Sequence, residues 1–141
     1  MTLADFSDPT TTDDYTLCIY DESSNVPVLR FEAAAPGGVA CSLRAPCWQR
    51  LARRFSYRDP ARLPDGIDSV ALKEGGPGNA KAIVVARGVE LGRAPLSLPP
   101  LPLPLPARVQ LQGSQGACFE ASYSAGGVHR NDTAQFSGTS D

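Results

Sequence analysis

The stretch Tyr15-Thr-Leu-Cys-Ile-Tyr20 decides the fold, because its side chains alternate with the two-residue period of a β-strand. Alternate residues, beginning with Tyr15, share one face of the expected strand, and those between them, including Cys18, share the other. Turn-forming residues follow at 21–25, and a second alternating segment runs from Val26 to Ala34. The sequence therefore predicts a β-hairpin at the start of the folded body.

Two further hairpins are predicted from the same kind of alternation. Strands at 67–72 and 80–87 flank a glycine-rich loop, and strands at 109–112 and 117–123 flank a second one. A short strand is expected at 133–136. The 13 glycines and 13 prolines interrupt every stretch that could form a long helix. We therefore predict an all-β fold, an antiparallel β-sandwich or barrel-like domain of roughly seven to nine strands.

The stretch 48–57 fits two different structures. Its apolar residues have the i, i+3, i+4 and i+7 spacing of an amphipathic helix with arginines on the wet side. These residues are Trp48, Leu51, Ala52 and Phe55. In a strand, Leu51, Phe55 and Tyr57 would share one face and Trp48 would lie on the other. Periodicity alone favours the helix.

The amino-terminal segment and the proline tract complete the predicted organisation of the chain. Residues 1–14 contain few apolar groups and many turn formers, so we expect an extended amino-terminal arm, with 15–141 as a single β-domain. Half of the stretch 95–106 is proline, which excludes a helix interior or a central strand. Its five leucines favour an ordered crossover from one sheet to the other over a docking ligand for a proline-binding domain.

The four cysteines, Cys18, Cys41, Cys47 and Cys118, lack metal-ligand spacing and predict two disulfides. Three connectivities are possible, and pairing Cys41 with Cys47 and Cys18 with Cys118 is favoured. Disulfides place the domain outside the reducing cytosol, at the cell surface, in the periplasm or in the medium. Since the first 20 residues do not resemble a signal peptide, an export signal is expected upstream or already removed.

Several chemistries are disfavoured by the composition. A net charge of −2 gives no global attraction for nucleic acid, and no apolar run is long enough for membrane insertion. The one histidine, His129, lies in a loop-like segment without a nucleophile motif, and no zinc spacing or phosphate-binding loop is present. No cofactor is expected.

Two groups of residues are candidates for binding. The acidic residues Asp8, Asp13 and Asp14 could offer oxygen ligands to calcium, although they lack EF-hand spacing and solvated turns are the favoured interpretation. Aromatic rings could stack on sugars, and a core position is favoured for the tryptophan. The aromatic candidates are Trp48, Tyr57, Tyr20 and Tyr123.

Several ordered motifs resemble an uncharacterised carboxyl-terminal β-domain of exported proteins from deltaproteobacteria and related bacteria. These motifs are 13–21 (DDYTLCIYD), 46–48 (PCW), 55–59 (FSYRD), 91–111 with its Pro-Leu tract, and 118–121 (CFEA). The resemblance implies export and an all-β body, and it implies no activity, cofactor or site. It also implies a strand after Cys47-Trp48, against the helical periodicity, although the sequence at 51–54 departs from the family pattern.

The most consistent function is a non-enzymatic extracellular module that adheres to a surface or assembles with itself through β-edges. Its expected partners are a second copy or a surface polysaccharide. A carbohydrate-binding module is the alternative, and a carboxylate-based hydrolase is third, because acidic pairs are an unspecific signal in a chain with 15 acids.

Overall fold

The computed structural model describes residues 1–42, 45–87 and 101–140. The prediction of an all-β fold is confirmed, with antiparallel pairing throughout the described sheets. A short 3-10 helix covers Leu3–Phe6. The strands of the described residues are β1 (Tyr15–Asp21), β2 (Val28–Ala35), β3 (Ala40–Ser42), β4 (Ala45–Pro46), β5 (Trp48–Leu51), β6 (Arg54–Arg58), β7 (Ile67–Lys73), β8 (Lys81–Ala86), β9 (Ala107–Gly113), β10 (Cys118–Tyr123), β11 (Val128–Asn131) and β12 (Phe136–Gly138). They exceed the expected number because four of them, β3, β4, β11 and β12, form two small extra sheets.

The first sheet has the strand order β10-β9-β1-β2 and contains two of the predicted hairpins. β1 lies between β2 and β9, so that Leu17 faces Ala33 on one side and Leu111 on the other. Leu17, Ala33 and Leu111 are buried. The segment Tyr15–Tyr20 is therefore a central strand of its sheet, with a paired strand on each side.

The second sheet has the order β5-β6-β7-β8, and its β7–β8 hairpin confirms the prediction for 67–87. The helix favoured for 48–55 is wrong. Trp48 on β5 pairs directly with Tyr57 on β6, and both are 1% exposed, whereas Leu51 lies at the turn and is 40% exposed. Pairing across the hairpin buries the large rings on one face, and this burial outweighs a short helical repeat that ends in an exposed turn.

One hydrophobic core joins the two sheets. It contains Tyr15 and Phe31 from the first sheet, and Trp48, Phe55 and Leu72 from the second, together with smaller apolar residues. The rings of Tyr15 and Trp48 lie 5.6 Å apart between centroids, which places an aromatic contact between the sheets. Each sheet thus buries its inner face and presents an outer face.

The expected extended arm at 1–14 is wrong at its apolar positions. Leu3 and Phe6 are buried in the common core, and the carbonyl of Phe6 accepts a hydrogen bond from the Tyr15 hydroxyl at 2.6 Å. The amino group of Met1 donates to the carbonyl of Gly75 at 2.7 Å, and the Gly75 amide donates back to Met1. Two apolar side chains are enough to dock this short segment, so it is part of the domain.

The structure contains one disulfide of the two expected, between Cys41 and Cys47, and Cys18 and Cys118 are free thiols. The second pairing is wrong because β9 lies between β1 and β10. Cys18 pairs with Gln110 and Cys118 with Gln112, so the two cysteines are also offset along the strands. Two strand spacings amount to about 10 Å, beyond the roughly 7 Å limit between the Cα atoms of a disulfide.

The proline tract connects β8 of the second sheet to β9 of the first, so the predicted crossover between sheets is present in the topology. Its portion 95–100 lies outside the described residues. In the described portion, Leu103 is buried and its backbone is held by Asn131 on β11. The Asn131 side chain accepts from the Leu103 amide at 2.7 Å and donates to the Leu103 carbonyl at 2.9 Å. This pair of bonds fixes the end of the crossover.

Candidate binding face

The outer face of the second sheet collects a row of positive charges. Arg54 on β6 is directly opposite Lys73 on β7, and Lys73 is directly opposite Lys81 on β8. We call these three residues the cationic row. Arg58 lies on the same face, four residues farther along β6. The inner positions of these strands carry the buried Phe55, so the pleat turns the cations outward.

The cationic row has no acidic partner, whereas five arginines elsewhere in the described residues form ion pairs. Ion pairs join Arg30 to Asp21 at 3.2 Å and Arg53 to Glu74 at 2.9 Å. Further pairs are Arg87 with Asp68, Arg108 with Glu22, and Arg130 with Asp132. Among the described residues, neither the row nor Arg58 forms an ion pair. Like charges directly opposite on neighbouring strands destabilise a sheet, so this row lowers the stability of the fold.

Small side chains form the centre of the same face. Ser56 on β6 is paired with Gln49 on β5 and with Ala71 on β7. Ala71 is paired in turn with Ile83 on β8, and Ile83 is 45% exposed. The centre of the face therefore carries short side chains. The cationic row lies on one side of it, Arg58 lies on the other, and the exposed Ile83 forms an apolar edge on β8.

A groove continues from the end of the cationic row. It has a volume of about 670 Å³ and runs between the β5–β6 turn and the β7–β8 loop. Its lining includes Arg53, Arg54 and Lys73 together with Gly75 and Gly76. The carboxylate of Glu74, which also lines the groove, is engaged by Arg53. The groove thus extends the positive surface toward the amino-terminal residue, which binds the Gly75 backbone.

The aromatic residues proposed to stack on sugars are not brought together. Trp48 and Tyr57 are core residues with 1% exposure, so the core position favoured for the tryptophan is confirmed and neither ring is accessible to a sugar. Their rings contact each other at 5.2 Å between centroids. Tyr20 lies half-buried on the outer face of the first sheet. Tyr123 is half-buried against the ring of Phe136 at 5.9 Å, and burial raises the pKa of its hydroxyl.

The acidic residues considered for calcium tie loops together. Asp8 caps its own turn by accepting from the Thr10 amide at 3.0 Å. Asp13 is buried and accepts from the Ser114 hydroxyl at 2.8 Å, and Asp14 accepts from the Gly37 amide at 2.7 Å. Within the described ranges, no group of three or more histidine, cysteine, aspartate or glutamate side chains is arranged to hold a metal ion. The acidic cluster seen in the sequence is thus distributed over separate loop contacts.

The histidine and the free thiols lie in two different places. His129 is on β11, where its Nε2 lies 3.0 Å from the hydroxyl oxygen of Thr139. Cys18 is buried on the first sheet, and burial, reinforced by the charge of Glu32, raises the pKa of its thiol. Cys118 is exposed on β10. A raised pKa keeps Cys18 in the unreactive thiol form at neutral pH.

Sequence reasoning missed the cationic row because its members are far apart in the chain. Arg54, Lys73 and Lys81 become neighbours through the register of three strands. A usable signal exists in Arg54-Phe-Ser-Tyr-Arg58, where polar residues, basic at both ends, alternate with aromatic ones at the strand period. The helical interpretation of 48–57 hid that alternation.

Comparison of the chain with known protein families, curated proteins and solved structures finds no match. The resemblance to the bacterial β-domain therefore stays a prediction. In the part of the chain that the structure describes, no helix is both long and apolar enough to cross a lipid bilayer.

Proposed function

We propose that this protein is a non-enzymatic extracellular binding module that holds a surface polysaccharide against the outer face of its second sheet. Its two four-stranded sheets with one common core would form a β-sandwich, which leaves that outer face free for a ligand. The Cys41–Cys47 disulfide supports a location outside the reducing cytosol. The unpaired cationic row is the observation that carries the proposal.

The row supports a binding role because its like charges lower the stability of the fold and no ion pair with a described residue offsets that loss. Three like charges lie side by side where neutral strand-forming residues would be more stable. Local departures from what a stable fold prefers are concentrated at functional sites. A ligand that pairs with the cations removes the repulsion, so binding and folding support each other.

Retention on immobilised bacterial polysaccharides tests the proposal. Ser56→Gln fills the low centre of the face without changing charge, and we expect it to weaken retention. Ser122→Gln makes the same change on the outer face of the first sheet, where Ser122 pairs with Arg108, and should leave retention unchanged. Equal retention of both variants would show that the polysaccharide does not use this face.

A second candidate function is self-association through β8. In the described part of the chain β8 pairs with β7 alone, and its outward residues Ile83 and Val85 are 45% and 38% exposed. Exposed apolar residues on an edge strand are suited to pairing with a second copy. Light scattering at rising concentration should show a dimer that Val85→Lys abolishes. Val28→Lys, at a residue with 39% exposure on β2, is the matched control.

The carboxylate-based hydrolase stays a prediction. The buried carboxylates Asp13 and Asp59 accept hydrogen bonds from the backbone of their own or neighbouring loops. Asp21 accepts from the Ser23 amide and pairs with Arg30, and these contacts give all three carboxylates roles in holding loops.

A further inference from the structure

We infer that the ligand of this face is an acidic polysaccharide, whose carboxylate or sulfate groups bind the cationic row and Arg58 at the same time. The inference rests on the proposed function and adds the chemistry of the ligand to it. A neutral glycan would leave Arg54, Lys73 and Lys81 facing one another without compensation. An acidic glycan supplies the partners that the described protein residues do not.

The spacing of the cations selects a polymer over a small anion. Neighbouring strands lie about 4.8 Å apart, so the row extends over roughly 10 Å across the sheet. Arg58 is four residues from Arg54 on β6, which corresponds to about 13 Å along the strand. The centre between them is occupied by Ser56 and Ala71. One small anion cannot contact both groups of cations, whereas a chain bearing acids at intervals can.

The groove gives the polymer a continuous path. It is an open surface depression of about 670 Å³ that begins at Arg54 and Lys73. Arg53 neutralises Glu74 at 2.9 Å, so the acid in the groove wall does not repel an anionic chain. Gly75 and Gly76 keep the opposite wall low. The polymer would therefore run from Arg58 along β6 to the cationic row and continue into the groove at Arg54 and Lys73.

The features of the face favour a glycan over nucleic acid. Proteins that bind single strands stack the bases on exposed aromatic rings, whereas the outward positions of the cationic row and of the central row Gln49, Ser56, Ala71 and Ile83 carry no ring. The disulfide also indicates a compartment in which surface glycans are the abundant anionic polymers.

Isothermal titration calorimetry with defined probes tests the inference. The probes are oligogalacturonate, which carries carboxylates, a heparin oligosaccharide, which carries sulfates, neutral dextran, galacturonic acid and single-stranded DNA of matched charge. We expect at least one acidic oligosaccharide to bind more tightly than dextran, the monomer and the DNA. Its affinity should fall as salt rises, with a log–log slope of about −2.8 to −3.6, because each of the four contacted cations releases roughly 0.7 to 0.9 counterions in nucleic-acid systems.

Charge variants locate the site. Arg54→Gln with Lys81→Gln removes two exposed cations of the row and should weaken binding roughly 4- to 25-fold, taking about two- to five-fold per exposed ion pair. The same variant should lower the salt slope. Arg30→Gln with Arg130→Gln removes two cations from elsewhere and should leave affinity within about two-fold. Circular dichroism confirms that both double variants are folded.

The outcomes separate the inference from the proposed function. Tight binding of dextran that the Arg54→Gln/Lys81→Gln variant retains would overturn the inference and leave a polysaccharide-binding module. Preferential binding of DNA, or equal competition by galacturonic acid, would overturn it as well. An equal loss of acidic-glycan affinity in the control variant would show that general charge attraction is responsible. Binding to none of the glycans would overturn both the inference and the proposed function.

Discussion

Replacing Lys73 by glutamate should stabilise the protein while weakening its ligand binding. Lys73 is the middle member of the cationic row and faces Arg54 on one side and Lys81 on the other. In the Lys73→Glu variant both repulsive pairs become attractive. Directly opposed side chains contribute roughly 0.2 to 1 kcal/mol per pair, so reversing two exposed pairs near the lower end of that range adds about 1 kcal/mol to the free energy of unfolding.

Thermal and urea unfolding of Lys73→Glu at low ionic strength measure this gain. About 1 kcal/mol corresponds to a rise in Tm of roughly 4 °C for a domain of this size. Lys73→Gln is the control, because glutamine has the shape of glutamate but removes the repulsion without adding attraction. Its free energy of unfolding should rise by about half as much. Both gains should shrink in ~1 M salt, where the Debye length is about 3 Å. If Lys73→Glu were less stable than Lys73→Gln at low salt, the three cations of the row would not be repelling one another.

Three further results are expected. Removing the disulfide by Cys41→Ala with Cys47→Ala should cost about 2 kcal/mol in urea unfolding, as expected for its sequence separation of 6, and a loss below ~0.5 kcal/mol would contradict its structural role. Asn131→Ala breaks both bonds to Leu103 and should cost about 1–2 kcal/mol, with faster amide exchange at Leu103. The Arg130 hydrogen bond and nearby backbone amides hold the pKa of Asp132 below its usual 3.8, so its stabilising contribution is present above pH 3.8 and is lost as pH falls through the lower folded value. Acid unfolding of Asp132→Asn should therefore show a shallower loss of stability below pH 3.8, and an unchanged slope would contradict that contact.

The local part of the fold could be predicted from the sequence. The hairpins β1–β2, β7–β8 and β9–β10 all have alternating strands and a short turn, and the structure contains each of them. These features depend on neighbours in the chain, where strand period and turn chemistry are sufficient. The Cys41–Cys47 disulfide is predictable for the same reason, because it closes a short loop.

The non-local part could not be predicted in this way. Nothing in residues 1–14 indicates that Leu3 and Phe6 reach the core, because two apolar residues define no periodic pattern. The Cys18–Cys118 pairing fails because the order of β1, β9 and β10 is a property of the sheet. The cationic row likewise requires the register of β6, β7 and β8, which the composition of each strand leaves open.

The most direct test of the binding face is an NMR titration of the 15N-labelled protein with an acidic oligosaccharide. We expect the amide shifts to concentrate at Ser56, Ala71 and Lys73 and to continue into the Gly75 loop, with little change on the first sheet. Shifts centred on Gln110 and its neighbours on the outer face of the first sheet, or spread evenly over the domain, would contradict it.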